Sequence, residues 1–297
     1  MSTVHYNNCP VCQSERIDPL IKIRDHSVSK EEFVIWQCRE CSLRFTQDAP
    51  DKASIGRYYE SPEYISHTNT NTGLINRLYQ KVRRLTLQQK ARLVIAHTVT
   101  QGRLLDYGAG IGAFMNTMKE KGWEVNGVEP DEGAREQAKR NFSLSPGSLE
   151  DLESFQAGRF DAITLWHVLE HVHDLHVTME RLKELLKPGG KLFVAVPNYN
   201  SVDNAIYKSY WAAYDVPRHL YHFTPPAIET LVKNHGMQLV STRPMWYDSF
   251  YISLLSSKYK HGSSNWIGAT VSGLRSNMSA LLDKNRCSSL IYIIKKS

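Results

Sequence analysis

Residues 103–122 read RLLDYGAGIGAFMNTMKEKG. Arg103 to Tyr107 form a short apolar run broken by one acid, Asp106, and a glycine turn follows at once. Ala113 onward has the composition of a helix, which Gly122 ends. A strand, a glycine turn and a helix in that order are the first unit of a doubly wound α/β sheet, whose ligands sit at the carboxyl edge of the strands. The same alternation continues outward. WEVNGVEPD (123–131) reads as a strand ending at Glu129, DEGAREQAKRN (131–141) as a helix and RFDAITLW (159–166) as a strand. HDLHVTMERLKELL (173–186) then reads as a helix, PGG (188–190) as a turn and KLFVAVPN (191–198) as a strand.

Gly108-Ala109-Gly110-Ile111-Gly112-Ala113 satisfies both G-x-G-x-G and G-x-G-x-x-A, so a nicotinamide dinucleotide must be weighed. Asp106 separates the two readings. A dinucleotide would put its pyrophosphate near the turn, and two like charges in a partly dry cleft cost on the order of several kcal/mol. S-adenosylmethionine has no phosphate. It brings an ammonium group that a carboxylate suits, and glycines let the backbone approach its methionine portion. Glu129 can accept both ribose hydroxyls in either cofactor class.

LLDYGAGIG, VNGVEPD, GSLEDL, FDAITLWHVLEHV, LLKPGGKLFVAVPN and HFTPPAIETLVKNHGMQLV, over about residues 100–243, resemble the class I S-adenosylmethionine-dependent methyltransferases. The resemblance implies a Rossmann-like α/β fold with a seven-stranded doubly wound sheet. It also implies that Asp106, Gly108, Gly110 and Gly112 line the methionine side, that Glu129 binds ribose, and that Ser148 and Leu149 lie beside adenine. Many relatives carry an acid at or next to position 148, where this chain has Ser148. The family ends in two antiparallel strands, matched by GMQLVSTRP and SSLIYIIKK, with 248–286 as a helical insertion between them. That insertion either covers the substrate pocket or forms a homodimer contact.

Cys9-Pro-Val-Cys12 and Cys38-Arg-Glu-Cys41 are two C-x-x-C pairs, able to supply four thiolates to one closed tetrahedral zinc site. Disulfides are the competing reading, and a cytosolic redox poise disfavours them. Residues 1–50 therefore read as a zinc-ribbon-like module with a structural metal, 51–98 as a helical linker or lid, and 99–297 as the methyltransferase domain. Cys287 reads as a small buried residue.

HVLEH (167–171) also fits H-x-x-E-H, a zinc protease signature. RFDAITLW as a strand puts His167 at a strand end and not on a helix with His171, which removes the pairing geometry. His167 instead falls at the carboxyl edge near the methionine end of the cofactor, and His173 and His176 read as surface residues. Some relatives that methylate quinol precursors hold a divalent ion with two glutamates and a histidine in this stretch. Here His167 replaces the first glutamate, while Glu170 and His171 are retained.

For the acceptor, residues 199–223 stand out. Tyr199, Tyr210, Trp211, Tyr214 and Tyr221 read as acceptor-binding rings, and His219 and His222, with His167, as candidate bases. Anchoring of the loop by hydrogen bonds is the competing role for the two loop histidines. The leading function is methylation of O or C on a small-molecule acceptor, a nucleotide-linked sugar or a biosynthetic intermediate. An RNA methyltransferase using the ribbon is the first alternative, and a non-catalytic cofactor-fold module is the second. A net charge of +6, much of it on one helix near Arg77 to Arg92, argues against a dedicated nucleic-acid binder. No apolar run approaches the roughly 20 residues of a membrane span, and MSTVHYNNCPVC lacks the regions of a signal peptide, so a cytoplasmic location is expected.

Overall fold

The computed structural model describes residues 2–60, 74–263 and 266–297. In the helix that begins at Leu74, side chains are described from Gln80 onward, so those of Leu74, Arg77 and Leu78 lie outside the described part. In chain order come β1 (Thr3–Val4), β2 (Ile17–Arg24), β3 (Glu32–Cys38), β4 (Arg44–Gln47), β5 (Ala49–Pro50) and helix α1 (Leu74–His97). Next are β6 (Arg103–Tyr107), α2 (Ala113–Lys119), β7 (Glu124–Val128), α3 (Glu132–Phe142), β8 (Phe160–Trp166), α4 (Leu175–Leu185) and β9 (Leu186–Pro197). The chain closes with α5 (Val202–Tyr207), β10 (Tyr221–His222), α6 (Pro225–Asn234), β11 (Met237–Pro244), α7 (Asp248–His261), α8 (Trp266–Leu282) and β12 (Ser289–Lys296).

The main sheet has the order β11-β12-β9-β8-β6-β7, with β7, β6, β8 and β9 parallel and β12 and β11 antiparallel. Alternation along the strands sorts the core into two faces. Leu104, Ala162, Phe193 and Ile293 meet Ala91 and Val94 of α1 and Phe114 and Met118 of α2. Leu105, Ile163, Leu192 and Ile294 face Met179 and Leu182 of α4 and Ile228 and Leu231 of α6. The expected seventh strand is a correction: six strands form among the described residues. At the third position only Val128 and Gly147 pair, as an isolated parallel bridge. The neighbouring Pro146 has no N–H to donate, which limits a ladder there.

β2, β3 and β4 form the amino-terminal sheet, and its fourth strand comes from far along the chain: β10 pairs antiparallel with β4, Tyr221 opposite Phe45. Cys9, Val11, Cys38, Cys41, Leu43 and Phe45 belong to the same apolar core as one face of the main sheet. His173 and His176 are not free surface residues as expected. His173 Nε2 lies 3.1 Å from the Pro50 carbonyl, and His176 Nε2 lies 2.8 Å from that of Pro10. Both therefore tie α4 and the turn before it to the amino-terminal module.

The strongest tie is ionic. Arg218, 1% exposed, donates to Asp215 at 2.9 and 2.6 Å, to Asp25 of the amino-terminal module at 3.0 Å and to the Tyr58 carbonyl at 2.8 Å. Asp25 also accepts from the backbone N–H groups of Ser27, Val28 and Ser29. Burial alone would raise the Asp25 carboxyl, but Arg218 and these donors hold it well below the usual carboxylate range. Arg218→Met strands the buried Asp25 and the partly buried Asp215, and should lower unfolding free energy by about 3–5 kcal/mol in urea titrations at neutral pH. A depressed carboxyl contributes above its unfolded pKa of about 4, so the gap between wild type and variant should narrow as the pH falls below that value. An unchanged gap down to pH 2 would contradict this account.

Candidate active site at the carboxyl edge of the sheet

Asp106 lies one residue before the end of β6 and is 1% exposed, with Thr164 of β8 donating its hydroxyl to Oδ1 at 2.7 Å. Burial pushes its carboxyl up to about 7, against the pull of Thr164 and of Lys90 on α1. The next turn is left-handed at Gly108 (φ 76°) and Gly110 (φ 52°). A Cβ at Gly108 would stand 2.4 Å from Val168, so that position admits only glycine, whereas one at Gly110 would meet nothing within 4 Å. The space beside Gly110 is a cradle open to a ligand. Gly112, also left-handed, caps α2.

Glu129 follows β7 and closes the other side of the turn. Its Oε2 accepts the Gly110 N–H at 2.8 Å and its Oε1 the Asp131 N–H at 3.0 Å, while burial raises its carboxyl. The Glu129 N–H donates to Gly147, which brings Ser148 and Leu149 alongside. Asp151 accepts from the Ser148 N–H at 2.7 Å, so an acid does stand beside position 148, three residues later than the pattern suggested. These donors and acceptors, with a cradle that excludes a Cβ at one glycine and is open at another, fit the S-adenosylmethionine implied by the resemblance.

His167 directly follows β8 with φ 60°, an uncommon conformation for a residue with a side chain, fixed by its N–H bond to Ala195. Its Nε2 lies 2.9 Å from Asp248 Oδ2 at the start of α7, and its Nδ1 lies 3.5 Å from Glu170 Oε1. Burial would lower the imidazole pKa, yet Asp248 and then Glu170 outweigh it and raise it to about 9. Sequence reasoning missed Asp248, since nothing local to α7 marks it as a partner of a residue so distant in the chain.

Glu170 is fully buried and neither carboxylate oxygen has a hydrogen bond. His171 and His219 bring ring nitrogens near it, all three ligand atoms lying within 4.8 Å of one another. Burial and the neighbouring His219 drop the His171 pKa to about 4. His219 Nδ1 lies 2.9 Å from the Ala213 carbonyl, which can only accept, so the proton sits on Nδ1 and Nε2 is the basic nitrogen. In the turn Leu169–His171 this stretch is a single 3-10 turn, and α4 begins only at Leu175.

The aromatic residues of 199–223 are packed into the fold directly after β9. Tyr199 donates to the Ser42 carbonyl beneath the Arg44 guanidinium, Trp211 Nε1 donates to Asp203 at 2.7 Å, and Tyr214 accepts from Arg44 at 2.9 Å. Tyr221 shares a hydroxyl hydrogen bond of 3.0 Å with Tyr6. All four are buried, Tyr199, Trp211 and Tyr214 against Ile23 and Ile35 of the amino-terminal sheet and Ile252 of α7, and Tyr221 in the core shared with the main sheet, and only Tyr210 is exposed. His222 is enclosed there too, beside Thr46 and edge-on to Tyr214, and burial holds its pKa well below the ordinary value. The structure gives these rings packing roles.

The four cysteines converge. Cys9 and Cys41 sulfurs are 3.5 Å apart, as are those of Cys12 and Cys38, and all four lie within 4.8 Å. A tetrahedral zinc with bonds of about 2.3 Å spaces sulfurs by about 3.8 Å, so the quartet is compatible with that ion after an adjustment of a few tenths of an ångström. The Val11 and Glu40 N–H groups already point at Cys9 and Cys38 sulfur.

Among curated proteins, the chain is similar to the ubiquinone biosynthesis O-methyltransferase of Xanthomonas axonopodis pv. citri, 33% identical over 162 residues, covering 49% of this chain and 66% of that protein. It is also similar to the mitochondrial ubiquinone biosynthesis O-methyltransferase of Homo sapiens, 28% identical over 179 residues, covering 55% and 47%. The chain thus spans less than two thirds of the length of these relatives. Among solved structures, a SAM-dependent methyltransferase from Archaeoglobus fulgidus matches with a TM-score of 0.50 at 19% identity, covering 75% of this chain and 100% of that one. Mitomycin 7-O-methyltransferase matches with a TM-score of 0.50 at 14% identity, covering 81% and 59%. Both likenesses concern the fold alone. A family described as a methyltransferase domain matches residues 76–242, from α1 through β11, the whole span that builds the glycine turn, the two carboxylates and His167; the chain belongs to that methyltransferase-domain family.

Proposed function

We propose that this chain is an S-adenosylmethionine-dependent methyltransferase acting on a hydroxyl of a small-molecule acceptor, with one structural zinc ion held by Cys9, Cys12, Cys38 and Cys41. The observation that carries the reading is the pair of buried carboxylates, Asp106 and Glu129, on either side of the open glycine turn. The names of the curated relatives support an oxygen acceptor. Asp106 with Gly108, Gly110 and Gly112 would hold the amino-acid end of the cofactor, Glu129 the ribose, and Ser148 and Leu149 the adenine. When bound, the cofactor supplies a methyl group already activated on a sulfonium for in-line displacement. The remaining tasks are orientation, exclusion of water and removal of the acceptor proton.

Of His167, His219 and His222, we assign proton removal to His167, with Asp248 orienting the ring. His222 and His219 are both buried, and His219 sits in the cluster with Glu170 and His171, whereas His167 directly follows β8 at the carboxyl edge and is a third exposed. An imidazole raised to about 9 is protonated at neutral pH. A sulfonium placed nearby opposes that charge, so loading of the cofactor moves His167 toward the neutral form that accepts a proton.

Three outcomes test this reading. Titration calorimetry should show affinity for S-adenosylmethionine rising from pH 5.5 to about 7 as Asp106 ionises, and Asp106→Asn should abolish both the slope and most of the binding. Equal binding by the variant would remove the cofactor assignment and favour a non-catalytic module. With isotopically labelled cofactor and pooled metabolites, turnover should rise with pH toward 9. Asp248→Asn should lower it about 100-fold and shift the rising limb to lower pH by a unit or more, because the ion pair that raises His167 is gone. A limb that stays put excludes the dyad. Finally, elemental analysis should find one zinc per chain, and Cys12→Ser with Cys41→Ser should lose it and melt at markedly lower temperature; metal-free protein of unchanged Tm would exclude the zinc site.

A further inference from the structure

A cavity of about 240 Å³ lies between α1, the end of β11, the start of α7 and Ile291 of β12. One wall is apolar, from Leu93, Pro244, Met245, Trp246 and Ile291, while Lys90 and Arg243 line it with cationic groups. Asp248 is on the rim, and through its 2.9 Å contact with His167 the cavity adjoins the carboxyl edge of the sheet.

Lys90 is the informative residue. Its ammonium lies 4.5 Å from the Trp166 ring centroid, and the carboxylates that act on it, Asp248 and Asp106, do so only at longer range than an ion pair. Among the described residues neither Lys90 nor Arg243 has an ion-pair partner within 4.0 Å. Burial destabilises the Lys90 charge, lowering its pKa. Asp248 makes its close contact with His167 at 2.9 Å and acts on Lys90 only at longer range. Half-buried Lys90 and exposed Arg243 give an otherwise apolar chamber a cationic lining that suits an anionic group.

Size narrows the occupant further. Pockets for drug-sized ligands run from roughly 300 to 1,000 Å³, so this chamber suits one ring with short substituents and is too small to enclose a nucleotide-linked sugar.

We propose that this cavity is the acceptor site and that the acceptor is a hydroxylated single-ring compound bearing an anionic group, which sits between Lys90 and Arg243 while the ring packs on Trp246 and Met245. The inference rests on the methyltransferase reading above and adds the substrate class to it. It also moves acceptor binding from residues 199–223 to the helix before β6 and the insertion after β11. Position relative to His167 follows from Asp248, which belongs to both the cavity rim and the imidazole contact.

The test is titration calorimetry on the full chain saturated with S-adenosylhomocysteine. The probes are 4-hydroxycinnamate, 4-hydroxyphenyl phosphate and the neutral 4-hydroxycinnamamide. At least one anion should bind tenfold or more tighter than the neutral amide, and whichever anion leads tells carboxylate from phosphate. Lys90→Met should reduce that preference to less than threefold, and the exposed Arg243→Gln should weaken it independently with S-adenosylhomocysteine affinity unchanged. If S-adenosylhomocysteine binds normally while the anions show no advantage, or while Lys90→Met and Arg243→Gln both retain it, the anion site is wrong. Failure of S-adenosylhomocysteine to bind wild type would instead overturn the methyltransferase reading on which the proposal stands.

Discussion

The Arg218 guanidinium between Asp215 and Asp25 is the contact on which the arrangement around the sheet edge depends. A buried cation with two acids is tolerable only if nearly every donor and acceptor is met, because desolvation otherwise exceeds the Coulombic gain. Here the fork of Arg218 meets both carboxylates and a carbonyl, and backbone N–H groups complete Asp25. Arg218 immediately precedes His219, so the same contact that docks the amino-terminal module fixes the chain entering β10. β10 then pairs with β4, and Thr46 donates its hydroxyl to the His219 carbonyl at 2.7 Å. The amino-terminal sheet is therefore part of the scaffold that orients the histidine cluster.

A second constraint is the shortage of water at the carboxyl edge. Asp106, Glu129, His167, Glu170 and His171 crowd a region where ionised forms are costly; burial sets the direction for Asp106, Glu129 and His171, and neighbouring charges override it for His167 and Glu170. Asp106 has one hydroxyl donor and only Lys90, beyond ion-pair range, as a cation, so burial prevails and raises it. Glu170 is fully buried too, but the adjacent histidines reverse the effect of burial and lower it. Such opposed displacements within a few residues are what a site needs to hold a cation and move a proton at neutral pH.

The sheet and its glycine turn were legible in the sequence because their signals are local. Apolar runs of strand length, the left-handed glycines and the acid at each strand end lie within a few residues of one another, and backbone sterics translate them directly. The four cysteines were legible for the same reason. Most of what the sequence hid depends on partners distant in the chain. Tyr199, Trp211, Tyr214 and Tyr221 looked like a pocket, since amphipathic rings serve pockets and buried joints equally well, and their partners Ser42, Asp203, Arg44 and Tyr6 are marked by no spacing rule. His173 and His176 looked like surface residues because the carbonyls they meet belong to Pro50 and Pro10. Asp248 was invisible on similar grounds.

How can a side chain from an insertion be positioned well enough to serve His167? A 2.9 Å contact does not survive a helix that swings by an ångström, so α7 has to be held along its length. Ser249 donates to Asn277 of α8, and Ser256 accepts the Ala212 N–H. Asp203, fully buried, accepts from Trp211 Nε1, from Ser276 of α8 and from Ser288 just before β12. Removing Asp203 would orphan the Trp211 N–H and leave Ser276 and Ser288 only their long 3.5 Å mutual contact, which makes Asp203 a pin of the insertion. Because Trp211 belongs to the segment clamped by Arg218 at its other end, the amino-terminal module, the segment after β9 and the insertion form one connected frame. Asp248 gains its fixed position from that frame, and not from anything in α7 itself.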